Sequence, residues 1–190
     1  MTHADPAFLK LWGRQSIFGR ENVMKTVLYA EKEDIQKMIS SVNWHEYETA
    51  YGNAGENIPY FVPTGDDRGY TPKVEISLTD LFSDDKETAL KAAHDLWCGL
   101  CHQYAFVSSA ALPSFDILCC ALQNPSDEIK IEILDIFNGF ACCTSGYRPD
   151  TWQGMLRNKL ENLIPYLQTL IGHPNEDIAY FAEEIIKELE

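Results

Sequence analysis

Three short polar stretches in the second half of the chain can be laid over one another. They read Leu81-Phe-Ser-Asp-Asp-Lys-Glu-Thr-Ala89, Leu122-Gln-Asn-Pro-Ser-Asp-Glu-Ile129 and Ile171-Gly-His-Pro-Asn-Glu-Asp-Ile178. Each separates two apolar runs of helical period, so each unit predicts helix, turn, helix. Leu81 and Leu122 lie 41 residues apart, and Leu122 and Ile171 lie 49 apart. These spacings fall at or just beyond the roughly 40–47-residue period of two-helix repeats. A helix with one apolar stripe must bury it on a neighbour, and stacked repeats supply that neighbour. The sequence therefore predicts an all-α fold, a short α-solenoid of antiparallel helix pairs over residues 79–190.

Within the units, Pro125 and Pro174 are expected at first helical positions, with the acids after them complementing the positive helix end. In the last unit Leu160, Leu163, Ile164, Leu167, Leu170 and Ile171 form one stripe, and Ile178, Phe181, Ala182, Ile185, Ile186 and Leu189 form the facing one. Pro165 either kinks the first of these helices or sits in its opening turn. Residues 129–141, IKIEILDIFNGFA, are apolar on nearly every side, which suits a middle unit covered by two neighbours. Residues 1–51 are expected to cap the array as helices, with Ile35, Met38, Ile39 and Val42, then Trp44, Tyr47 and Tyr51, at helical spacing. Residues 52–78 read as an inserted loop, irregular and rich in Gly, Pro and Asp from 52 to 72, and the whole of 1–190 as one domain.

Inside the first repeat stands Trp97-Cys98-Gly-Leu-Cys101-His102, which has the spelling used for covalent haem attachment. The first thirty residues lack a basic stretch followed by an apolar one, so the chain is expected in the cytoplasm, where that attachment does not occur. Zinc would require Cys98, Cys101 and His102 to converge with Cys142 or Cys143, whereas structural zinc sites use two well-separated pairs. Period places Leu90, Ala93, Trp97, Leu100 and Cys101 on one stripe, so the thiols are expected to pack as small hydrophobes. No metal and no cofactor is expected.

Charge narrows the partners. With 29 acidic and 15 basic side chains the chain carries −14, and it has no Lys/Arg cluster to meet a phosphate backbone or an anionic membrane. A basic protein would instead be steered toward it. Catalytic signatures are missing from the sequence: there is no Gly-x-Ser-x-Gly elbow, Gly-rich phosphate loop or His-Glu-x-x-His helix, and the five histidines are scattered. The chain is not expected to be an enzyme.

The strings NWHEYETAYGNAGENIP, LFSDDKETALKAAHDLWCGLCHQ and VSSAALPSF resemble a set of bacterial HEAT-repeat proteins. These share a Trp-x-x-Tyr segment leading to Ala-Tyr-Gly, an acidic turn, a His-Gln helix end and a small-residue run leading to Pro and Phe. The likeness covers about residues 42–140; Ser114 parts Pro113 from Phe115, and TGDDRGYTPKVEISLT stands as an insertion. The resemblance implies a right-handed HEAT-like solenoid. Because members of that group occur as immunity proteins of polymorphic toxin systems, it also implies a non-catalytic inhibitor of a cognate toxin domain, one whose basic charge would suit this acidic chain. A HEAT-repeat scaffold or adaptor for an endogenous protein is the alternative. The expected binding surface is the ridge of stacked turns, Asp84, Asp85, Asp127, Glu128, Glu176 and Asp177. From the loop it adds Asp66, Asp67, Tyr60, Phe61 and Tyr70.

Overall fold

The computed structural model describes residues 31–60 and 69–190. The described chain is mostly helical. Helix α1 spans Lys32–Ser40; two short strand pairs follow, β1 (Glu48–Thr49) with β2 (Gly52–Asn53) and β3 (Ile58–Tyr60) with β4 (Gly69–Thr71), both antiparallel. Then come α2 (Val74–Asp80), α3 (Lys86–Cys101), α4 (Ala111–Ala121), α5 (Asp127–Cys143), α6 (Trp152–Leu170) and α7 (Glu176–Leu189). No helix among the described residues is long and apolar enough to cross a membrane.

The three polar stretches form the turns between α2 and α3, α4 and α5, and α6 and α7. Their cap residues share one extended backbone geometry: φ −83°, ψ 113° at Asp85, −77°, 121° at Ser126, and −83°, 117° at Asn175. Helices α2, α4 and α6 pack in that order along one layer, and α3, α5 and α7 along another, with α2 on α3, α4 on α5 and α6 on α7. One hydrophobic core runs between the layers. Helix α5 is its centre: Ile133, Leu134, Ile136, Phe137, Phe140 and Ala141 are all fully buried, because α3 and α7 cover its sides and α4 and α6 its inner face.

Several expectations need correction. Trp44, Tyr47 and Tyr51 do not share a helix; Trp44–Glu46 is a single 3-10 turn, and the chain then extends into β1. Tertiary pairing overrides the spacing here. The amide of Ala50 donates to the Gly99 carbonyl (2.8 Å) in the last turn of α3, and that of Ala110 donates to the Glu48 carbonyl (3.1 Å), so the hairpin satisfies backbone groups that helix ends leave open. The turn needs glycine, since Gly52 has φ +142°.

The segment expected to be irregular holds strands β2, β3 and β4, and α2 begins at Val74, ahead of residue 79. Pro125 and Pro174 precede the cap residues Ser126 and Asn175 instead of opening the helices. The Asn124 and His173 side chains accept from the Ser126 and Asn175 amides (2.9 and 3.1 Å), which fixes those turns. Pro165 lies inside α6, not in its opening turn, and it cannot donate to the Glu161 carbonyl.

Within the α2, α4 and α6 layer, one ammonium is buried against a half-buried carboxylate. Lys159 of α6, 8% exposed, donates to both carboxylate oxygens of Asp116 on α4 (2.7 Å each), and its ammonium lies 5.4 Å from the Phe115 ring centroid. A buried ammonium is tolerated only with such a partner.

Helices α3 and α5 meet closely at Gly139, where an added Cβ would stand 2.8 Å from Cys101 Sγ and 2.9 Å from its Cβ. In an open helix Gly→Ala stabilises by about 1 kcal/mol. At Gly139 the same change is expected to destabilise by about 1–3 kcal/mol through overpacking. The urea midpoint should fall at unchanged slope, and a rise would contradict this packing.

Candidate functional site

The expected ridge residues within the helical array do come together, at the N-termini of α3, α5 and α7. Asp85 caps α3, accepting from the Thr88 amide (3.0 Å) and hydroxyl (2.5 Å), bonds that hold its carboxyl below the usual carboxylate range. Lys86 reaches across to Glu128 (2.7 Å), whose other oxygen accepts from the Ser126 hydroxyl (2.6 Å). These two bonds hold the Glu128 carboxyl down at about 2. Asn175, the cap of α7, donates to Asp127 (3.4 Å) and accepts from the Asp177 and Ile178 amides. Side chains thus join each turn to the next.

Three ammonium groups meet this ridge: Lys32 stands 4.0 Å from Asp84, Lys86 pairs with Glu128, and Lys130 is 3.7 Å from Asp127. Glu176 and Asp177 are exposed and have no ion-pair partner among the described residues. The cap geometry that sets where each helix starts also leaves the ridge net negative. Phe61, Asp66 and Asp67 lie outside the described residues, and Tyr60 and Tyr70 are known by backbone position only, Tyr60 opposite Gly69 and Tyr70 opposite Pro59.

The cysteine motif divides between packing and surface. Cys101 is fully buried, and its thiol faces the Trp97 carbonyl (3.5 Å). Cys98 is half-buried with its sulfur 3.6 Å from His94 Nε2, so the thiol–imidazole neighbour is Cys98, not Cys101. Tyr51 and His102 sit beside it, joined at 3.3 Å. Burial is the largest influence on the Cys98 thiol and pushes it up, with Asp95 and Glu132 adding to the rise, which disfavours a nucleophilic thiolate. Cys120 is pushed up to about 12 and Cys119 well above its ordinary value, both mainly by burial. All six cysteines are free. Among the described residues no three His, Cys, Asp or Glu side chains group so as to hold a metal ion.

A second surface escaped sequence reasoning. At the opposite end of α5 lies a groove of about 300 Å³ lined by Tyr104, Phe106, Cys142, Cys143, Tyr147 and Trp152, among others. Phe106 is 50% exposed, Tyr147 48% and Tyr104 39%. Tyr104 has φ +57°, a left-handed conformation costly for an aromatic residue. Its hydroxyl donates to Asp135, its carbonyl accepts from the Cys143 thiol (3.2 Å), and its ring stands edge-on to Trp97 at 6.4 Å. Three neighbours therefore hold the strained residue in place. The only sequence signal was aromatic residues just after a helix end.

Comparison of the chain with protein families, curated proteins and solved structures finds no match in any of the three.

The Lys86–Glu128 clamp has a definite pH signature. A depressed carboxyl stabilises the fold fully above the ordinary carboxylate range and loses that contribution as pH falls toward about 2. Carboxyl NMR should place Glu128 near that value in the native protein and return it toward 4.5 in Lys86→Met. An identical titration in both proteins would remove the clamp.

Proposed function

We propose that this chain is a short right-handed HEAT-like α-solenoid acting as a non-catalytic immunity protein, one that binds and neutralises a cognate, basic toxin domain inside the cell. What carries the reading is the ridge. Three helix N-termini share one cap geometry and are joined by Lys86–Glu128 and Asn175–Asp127, presenting Asp84, Glu176 and Asp177 outward. The layered packing of α2, α4 and α6 against α3, α5 and α7 supports the solenoid. The likeness of residues 42–140 to HEAT-repeat immunity proteins supports the role, and the charge of −14 supports a basic protein as partner, with neither nucleic acid nor membrane.

In this reading the ridge acts on encounter. Exposed carboxylates add little affinity when each is solvated. Summed, they steer a cationic partner and raise the association rate at low salt toward about 10⁸ M⁻¹s⁻¹. An inhibitor that must intercept its target before damage is done gains most from that rate.

The test begins with the gene neighbourhood, where this reading expects a toxin-bearing protein to be encoded, and uses that protein's C-terminal domain. Its association with the native protein should slow steeply with salt, and Asp84→Lys with Glu176→Lys and Asp177→Lys should slow it about tenfold at low ionic strength with little change in dissociation. Co-expression should rescue growth of cells making the toxin. Unchanged association by the triple variant would overturn the ridge. Absence of any protection, with an endogenous basic protein bound instead, would favour the adaptor reading.

A further inference from the structure

The last turns of α3 carry two metal-ligating side chains that the core does not consume. Cys101 turns inward onto the Trp97 carbonyl, so it is not available to the zinc set weighed from the sequence. One turn earlier, His94 and Cys98 stand four residues apart on a single face of the helix, with Sγ 3.6 Å from Nε2. Zinc binds a thiolate at about 2.3 Å and an imidazole at about 2.0–2.1 Å, and at the tetrahedral angle those two ligand atoms lie about 3.6 Å apart. The pair already has the spacing of two corners of a zinc site.

Both side chains are held in this arrangement. The His94 imidazole lies nearly parallel to the Trp97 rings, with centroids 6.0 Å apart and planes at 15°. Tyr51 sits against Cys98 and is in turn joined to His102 Nδ1 at 3.3 Å, with the two rings edge to face at 5.6 Å. Burial raises the Cys98 thiol, so the sulfur keeps its proton when only His94 faces it, and the hydrogen bond from Tyr51 is the one influence there that favours the thiolate. His94 is exposed and Cys98 half-buried, which leaves the outer side of the pair open to solvent.

We propose that His94 and Cys98 bind one zinc ion through Nε2 and Sγ, with water in its remaining positions. As the Zn–S bond forms, the thiol proton leaves to solvent, and no electron is transferred. Thiolate and imidazole together suit zinc and exclude magnesium and calcium, which take oxygen ligands. With two protein ligands in place of the four of a structural centre, the site is weak and exchangeable, and folding does not depend on it. It is also separate from the acidic ridge, because Cys98 stands about 20 Å along α3 from Asp85 at 1.5 Å per residue.

The inference needs neither the ridge nor a toxin, so metal alone is the probe. The full chain, reduced and stripped of metal, is titrated with zinc chloride by calorimetry and with cobalt(II), whose absorption reports thiolate bonding and tetrahedral geometry. One zinc should bind with a Kd on the order of 10 μM, and cobalt should give a thiolate charge-transfer band together with tetrahedral d–d bands. Cys98→Ser should abolish that band and weaken zinc at least about tenfold; His94→Gln should weaken zinc about tenfold and leave a smaller band. Cys142→Ser with Cys143→Ser, which removes the other two partly exposed thiols, should change neither, and excess magnesium should not compete. Without metal, His94→Gln and Cys98→Ser should keep the native thermal midpoint. An unaltered cobalt spectrum in Cys98→Ser, loss of zinc binding in the Cys142 and Cys143 variant, or no saturable binding up to about 1 mM zinc would each overturn the proposal, whatever becomes of the ridge.

Discussion

Helix α5 cannot exist in water alone. Ile129, Ile133, Leu134, Ile136, Phe137, Phe140 and Ala141 give it a broad apolar face opposite the narrow stripe of Glu128, Glu132, Asp135 and Asn138, and each large apolar side chain favours burial by about 1.5–3 kcal/mol. Helices α3 and α7 must therefore close on its sides and α4 and α6 on its inner surface. Gly139 permits a close approach of α3, against Cys101. The ends of α5 then decide what is presented outside: Ser126, Asp127 and Glu128 at one end, and Cys142 and Cys143 beside Tyr104 at the other. Each surface takes its position from the packing of one buried helix.

Charge is arranged around that core by the same local rules that start the helices. Asp85 and Asn175 cap α3 and α7, and the acids in the first turns complement the helix dipoles. Because the turns stack, cap residues repeat in space, and a helix-start preference becomes a continuous acidic edge. Lys86 and Lys130 neutralise part of it and tie it together, so what faces outward is the residue of local pairing. Inside, Lys159 and Asp116 show the opposite regime, where a charge is admitted only with its partner already in contact.

The parts of this fold legible in the sequence are those governed by period and by caps. The turns following Asp80, Ala121 and Leu170 and the burial of Cys101 each follow from a pattern within a few residues; α5 was read as apolar on nearly every side, whereas Glu132, Asp135 and Asn138 keep one partly exposed polar stripe. What sequence hid depends on distant partners. Trp44, Tyr47 and Tyr51 keep helical spacing, yet the open carbonyl of Gly99 draws this stretch into a hairpin. Pro125 and Pro174 lie two positions ahead of the first helical residues, where they were expected, because Asn124 and His173 fold back on the backbone. The ridge was readable as a line of acids, but not its clamp, since Lys86 and Glu128 are 42 residues apart. The groove was unreadable: Tyr104, Cys143 and Tyr147 meet only once α3, α5 and the loop before α6 are in place.

Native-state hydrogen exchange tests the dependence on α5 most directly. Amides of Ile133 through Phe140 should exchange only through global unfolding and be the slowest in the protein, with those of α1 and the β1–β2 hairpin opening at much lower free energy. Exchange from α5 as fast as from α1, or at a free energy below that of α7, would contradict the account, because the helix on which both surfaces rest would then be a passenger in a core held elsewhere.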